Sequence, residues 1–155
     1  MNVQYEYFFT LPRNIVWKYI KDEKVLINAI PGCKTFEEIS KGVYGSGVQI
    51  NIGPIKDSFN FKVLLDEEKA PDFFCLKLKG EGNMGEISGD ADLWLTETQG
   101  TTKLICKVET QMTGTLVLAG QQILNSGINK GLDIFFQKLE KEIKRNIYKL
   151  RRRSR

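Results

Sequence analysis

The sequence predicts an α+β fold in which a curved, seven-stranded antiparallel sheet wraps around one long C-terminal helix, with two short helices after the first strand. Three observations predict it. Residues 117–150 place apolar or small side chains at helical spacing: Ile123, Leu124, Gly127, Ile128, Gly131, Leu132, Phe135, Leu139, Ile143, Ile147 and Leu150. Roughly seventy residues before them alternate apolar and polar with the period of a strand. The connections between those strands are short, which makes neighbours antiparallel. A sheet with one apolar face and a single apolar helix bury each other only if the sheet curls.

Taken in order, Val3–Phe9 alternates with Asn2, Gln4 and Glu6 as a first strand. Pro12 suits a first helical turn, and Ile15, Val16, Tyr19 and Ile20, with Trp17 beside them, give a short amphipathic helix. Asp22 caps a second short helix carrying Val25, Leu26, Ile27 and Ile30, which Pro31-Gly32 ends. Strands Phe36–Ser40 and Tyr44–Ile52 are split by Lys41-Gly42, and Gly53-Pro54 precedes a strand at Ser58–Asp66. After the Ala70-Pro71-Asp72 turn, Phe74, Leu76 and Leu78 alternate with lysines up to Glu81-Gly82-Asn83. Ile87, Ala91, Leu93 and Leu95 line the next strand, and Leu104, Cys106, Val108 and Met112 the last, which Gly114 ends. Such alternation buries one face and wets the other.

At 155 residues the chain is read as one domain, residues 1–150, with a basic tail at 151–155. No apolar run is long enough for a membrane span and no secretion signal opens the chain, so a cytoplasmic protein is expected, at most peripheral on the membrane's inner face. Cys33, Cys75 and Cys106 are odd in number and widely spaced, which fits reduced core residues better than a disulfide framework. The chain has no histidine. That excludes serine–histidine triads, cysteine–histidine pairs and the usual zinc sites, and no metal is expected. Asp57, Glu81, Glu86 and Asp90 fall in or near turns or on the wet side, where a solvated carboxylate is the ordinary finding. The Gly80–Gly85 run is followed by no helix and is no phosphate loop. No acid–base pair stands out, and no enzyme is expected.

Leu11-Pro12-Arg13-Asn14-Ile15-Val16-Trp17, then Asp22, then Ala29-Ile30-Pro31-Gly32-Cys33 resembles the opening of the CoxG family of carbon monoxide dehydrogenase subunits. Further matches are Tyr44, the Val48–Ile52 strand running into Gly53-Pro54-Ile55, Phe59, Gly80 and Gly82, the Thr102 strand leading to Gly114 and Leu116–Gly120, and Phe135-Phe136. The resemblance spans essentially the whole chain. It implies a START-like, helix-grip fold with a hydrophobic cavity between sheet and helix. It also implies a role beside molybdenum-containing CO dehydrogenases or related hydroxylases, in maturation or in coupling to lipophilic quinones at the membrane.

The residues themselves bear on that cavity. At 100° per residue Gly120, Leu124, Gly127 and Gly131 fall within about 60° of one another, in the middle of the apolar stripe, beside Ile128 and Phe135. Each helical glycine costs about 1 kcal/mol relative to alanine, so three on a buried face need a reason. Close helix–sheet packing is one; room for a ligand is the other. The facing strands offer Phe59, Phe61, Val63, Phe74, Leu76, Met84, Ile87, Leu93, Leu104, Cys106, Val108 and Met112, an adaptable lining almost without ionisable groups. It selects a greasy, uncharged molecule such as a quinone, an isoprenoid or a fatty-acid-like lipid, with no cofactor required. An assembly factor that recognises an apoenzyme, and a polyketide-cyclase-type enzyme on the same fold, are the alternatives.

The net charge of +4 hides an asymmetry. Residues 138–155 carry nine basic and two acidic side chains, a net of +7, leaving the rest at −3. Past Leu139 the apolar stripe turns by about 100°, so the last turns are expected to project beyond the sheet with Lys144, Arg145, Lys149, Arg151, Arg152, Arg153 and Arg155 around them. A solvated helix end, an anionic membrane surface and an acidic patch on a partner protein all fit this pattern. Nucleic acid is not expected, because no aromatic side chains interleave the basic run.

Overall fold

The computed structural model describes residues 1–153, and Arg155, expected at the basic end, lies outside them. Seven strands form one antiparallel sheet in the order β1-β7-β6-β5-β4-β3-β2. They are β1 (Asn2–Phe9), β2 (Cys33–Ser40), β3 (Val43–Ile52), β4 (Ile55–Asp66), β5 (Phe73–Gly82), β6 (Gly85–Thr98) and β7 (Thr101–Met112). Helices α1 (Arg13–Tyr19) and α2 (Glu23–Ala29) follow β1, and α3 (Gln121–Arg153) is the long helix that follows β7. The side chain of Asp22 caps α2, accepting from Val25 N–H at 3.1 Å.

Period-two alternation sets the inner face as expected. Ala91, Leu93 and Leu95 of β6 and Leu104 and Cys106 of β7 are buried, while Asp90, Asp92, Lys107 and Glu109 between them are exposed. The apolar core forms two clusters. One joins Phe9, Val16, Val25, Phe74, Leu93 and Leu104 to Phe136, Leu139 and Ile143 of α3. The other joins Ile55, Phe59, Leu116 and Ala119 to Leu124.

Three features depart from the expected pattern. The terminal helix does not begin at residue 117: Gly114–Ala119 is a 3-10 turn, and α3 starts after Gly120, whose φ of 86° breaks the helical path. The 3-10 turn is fixed by tertiary bonds, with Thr113 N–H donating to Glu86 O at 3.0 Å and Thr115 Oγ1 to Met84 O at 3.0 Å. β4 starts at Ile55 rather than Ser58, which turns Asp57 inward with Ile55 and Phe59 and buries it. Finally, the end of α3 does not leave the sheet at Leu139. Leu139 and Ile143 are both 0% exposed, and Ile147 packs on the same core beside α1 and α2. Tyr148 and Leu150 are the first large apolar side chains of this end to face solvent.

Candidate functional site: the interior beneath α3

α3 spans the sheet like an arch. Its backbone comes close to α2 and β1 on one side and to β3 on the other, and stands back from the four strands between them. On the β1 side, Phe136 stacks with Tyr5 (ring centroids 5.5 Å apart) and Tyr7 (5.8 Å) and meets Phe9 edge-on (6.1 Å). Above these rings Tyr5 Oη donates to Asp133 Oδ1 at 2.8 Å and Tyr7 Oη to Glu140 Oε1 at 2.7 Å. Glu140 Oε2 also accepts from Thr10 N–H at 2.7 Å and from Thr10 Oγ1 at 3.0 Å, and lies 3.6 Å from Lys144 Nζ. Burial acts to raise the Glu140 pKa, but these donors and the lysine prevail and hold it below the ordinary carboxylate range. Burial, followed by the hydrogen bond to Asp133 or Glu140, pushes the Tyr5 and Tyr7 hydroxyls well above their usual value.

Under the middle of the arch the packing changes. Phe61, Val63, Leu76, Leu78 and Val108 point inward yet remain only half-buried, as do Ile128, Leu132 and Phe135 of α3 above them. Val63 and Leu78 face each other across β4 and β5 and, with Ile128, belong to neither core cluster. A Cβ built on Gly131 would meet no atom within 4 Å. The sheet floor is lowered as well. A Cβ at Gly80 would overlap the Phe61 ring, so that ring lies down on β5 instead of standing into the interior. Inward side chains that keep accessible surface make the middle of the arch less closely packed than the two clusters that flank it, and its surface is almost all carbon.

The predicted lining residues divide accordingly. Phe61, Val63, Leu76, Val108, Ile128, Gly131 and Phe135 are half-buried, whereas Phe59, Phe74, Leu93, Leu104, Cys106 and Leu124 are buried core. Met84, Ile87 and Met112 pack around the second cluster. Burial, with a smaller effect from Asp92, pushes the Cys106 thiol up to about 12, so at neutral pH it stays protonated and inert. The glycine reading needs correction at two positions. Gly120 is not on the helix, and a Cβ at Gly127 would overlap Ile52, so Gly127 serves close packing against β3. The buried centre of α3 runs through Leu132, Phe136 and Leu139, and Gly127 lies to one side of it, against β3.

Asp57 is likewise corrected: it is no solvated carboxylate. Its two oxygens accept from Met84 N–H and Ser58 N–H, both at 2.8 Å, tying β4 to the β5–β6 turn. Two residues of the interior were missed. Leu78 belongs to the lining by its strand parity alone. Asn125 sits seven residues before Leu132 and eleven before Phe136, hence on the same helical face, and its Oδ1 is buried without a hydrogen-bond partner. A polar residue on an apolar stripe was the available signal.

Among the residues of the basic end, Lys144 donates to Thr10 Oγ1 at 2.7 Å and Arg145 pairs with Glu142 at 3.1 Å. Lys149, Arg151, Arg152 and Arg153 are exposed, Arg152 lying over the Tyr148 ring. Two further observations bound the chemistry. Among the described residues no three histidine, cysteine, aspartate or glutamate side chains gather to hold a metal, and no described helix is long and apolar enough to cross a membrane. A depression of about 380 Å³ opens on the opposite, solvent-facing side of the sheet, with Asn2, Gln4, Asp90, Asp92, Lys107 and Glu109 in its lining. Its mixed charges form a solvated cross-strand ladder rather than a site for one class of ligand.

A curved antiparallel sheet gripping a C-terminal helix over an apolar interior defines a START-like, helix-grip protein. The chain belongs to the CoxG family of carbon monoxide dehydrogenase subunits, whose model matches residues 9–144. Its fold is similar to that of a conserved protein from Geobacillus kaustophilus (TM-score 0.88, 25% identity, 94% of this chain and 96% of that one). It is also similar to a START superfamily protein from Mycobacterium smegmatis (TM-score 0.75, 11% identity, 93% and 97% covered). A third similar structure is the Zhui aromatase/cyclase from Streptomyces sp. R1128 (TM-score 0.70, 12% identity, 95% of each chain). At that identity the likeness is one of fold. No curated protein sequence matches the chain.

Proposed function

We propose that this protein is a non-enzymatic carrier that holds an uncharged lipophilic molecule, a quinone, isoprenoid or lipid, between its sheet and α3, and that it serves a molybdenum CO dehydrogenase or related hydroxylase near the membrane. One observation supports the binding half above all others: the half-buried inward side chains Val63, Leu78 and Ile128 stand between two packed clusters and belong to neither. The partner half is supported by membership of the CoxG family. Asn125 adds a polar handle. A buried acceptor without a partner costs about 1–3 kcal/mol, and a ligand carrying one hydroxyl or carbonyl relieves that cost, the amide presenting either its oxygen or its nitrogen. The enzyme alternative requires polar groups free to act on a ligand, but the buried inward groups Ser46, Asp57 and Thr110 are engaged with backbone partners. The exposed arginines at the end of α3 are offered to anionic groups of a partner.

The test is gentle purification without detergent, native mass spectrometry and organic extraction, followed by titration with a short-chain quinone. A co-purifying or titrating apolar molecule is expected, and its occupancy should fall at least tenfold in Gly131→Phe with circular dichroism unchanged. Failure of the wild-type chain to take up any of these molecules overturns the carrier reading, and unchanged occupancy in Gly131→Phe overturns the location.

A further inference from the structure

We infer that one end of the molecule, made of the 3-10 turn, the first turns of α3 and the β3–β4 turn, docks on the surface of a lipid bilayer, with Val117, Leu118 and Ile123 entering the boundary between headgroups and acyl chains. Charge distribution carries the argument. In a chain that is 27% charged, residues 110–129 form an unbroken run of twenty without a charge, and residues 42–55 form a second. The fold brings the two runs together. Gly127 closes on Ile52, and Gly53 lies so near Ile123 that a Cβ there would touch its Cγ2.

The apolar side chains at this end are not covered. Leu118 is 81% exposed, Val117 56% and Ile123 47%. Other exposed apolar residues sit among charges: Ile39 follows Glu37 and Glu38, Leu64 lies between Lys62 and Asp66, and Leu150 between Lys149 and Arg151. Those positions cannot enter an apolar medium without carrying charge with them. The exposed polar residues of the two runs at this end, Asn51, Gln121 and Gln122, are neutral and suited to a headgroup layer, and Lys56, paired with Asn51 across β3 and β4, begins the charged surface beyond them. Glu86 approaches from the β5–β6 turn, its N–H donating to Thr113 Oγ1 at 3.0 Å, and marks the rim of the neutral surface.

A protein partner is the weaker match. Specific protein interfaces use charged rims for steering and register, and neither run supplies a charge. A bilayer asks only that apolar side chains be buried and that no charge follow them. Docking here also places the lipid at the end where α3 is least held, since Leu124 is the one buried side chain between Gln121 and Leu132. That consequence rests on the carrier reading; the docking itself does not.

Vesicle flotation without any added ligand tests the inference, so that its failure leaves binding in the interior untouched. The chain should float with neutral phosphatidylcholine vesicles and remain bound at high salt. Leu118→Asp should weaken binding at least tenfold, ~1.4 kcal/mol, with unchanged circular dichroism and Tm. Arg151→Gln, Arg152→Gln and Arg153→Gln together should leave neutral-vesicle binding as it was. Three results would overturn it: no flotation on neutral vesicles, binding confined to anionic vesicles and abolished by salt, or a lipid-free dimer that Leu118→Asp dissociates.

Discussion

The two halves of α3 meet the rest of the molecule in different ways. From Asp133 to Ile147 the helix is an anchor, with Phe136 stacked on β1, Leu139 and Ile143 sealed against the short helices, and two tyrosine–carboxylate bonds above them. From Gln121 to Leu132 it touches β3 through Gly127, buries Leu124, and otherwise buries no side chain. One helix is both fastener and roof. The difference teaches that helical stability here comes from tertiary contacts on one half, which leaves the other half free to pack more loosely.

The comparison is broken most directly at the anchor. Phe136→Ala removes the ring that joins Tyr5, Tyr7 and Phe9, and should cost about 3–5 kcal/mol in urea unfolding. A loss below about 1 kcal/mol would show that the anchor half holds nothing. The two glycines of the roof should answer with opposite signs. Gly127→Ala forces a methyl group into Ile52, an overpacking cost of about 1–3 kcal/mol that outweighs the roughly 1 kcal/mol gained in helix propensity. Gly131→Ala meets no atom and should stabilise by up to about 1 kcal/mol. Equal signs in thermal melts would erase the distinction between contact and space.

The smallest effect is electrostatic. Glu140 has a folded pKa below its unfolded one, so its contribution is complete above the unfolded value of about 4.3 and is lost as pH falls through the lowered folded value. Tyr5 and Tyr7 act in the opposite range. Their raised pKa values give stability that is complete below about 10 and lost as pH rises through the folded values. Glu140→Gln should therefore cost about 1–2 kcal/mol at neutral pH and approach no cost in acid, read as the difference between two unfolding curves against pH. A difference that does not change with pH would mean that the carboxylate's charge plays no part.

Much of this was legible. Ala91, Leu93 and Leu95, like Leu104 and Cys106, announce their face by simple alternation, because a strand's geometry leaves each side chain only two directions. The same parity turns Val63, Leu76 and Val108 to the inner face of the sheet. Rotation of α3 was harder to read. A stripe broad enough to include both glycines and Ile143 has no unique centre on a wheel, and aromatic stacking against Tyr5 and Tyr7 chooses it. Asp57 misled because a carboxylate in a turn-rich stretch reads as wet, whereas the N–H groups of Met84 and Ser58 give it partners inside.

By itself the sequence determined the order of the strands and of the three α-helices, the inward parity of β5, β6 and β7 and the apolar character of the faces that sheet and helix turn to each other, since these depend on local periodicity and on water's exclusion from carbon. Tertiary structure decided where α3 begins, which of its faces is buried, and which glycine is contact and which is space. Those outcomes depend on groups brought together from distant parts of the chain. Met84 O and Glu86 O hold the 3-10 turn before Gly120, and Ile52 fills the place of the side chain that Gly127 lacks.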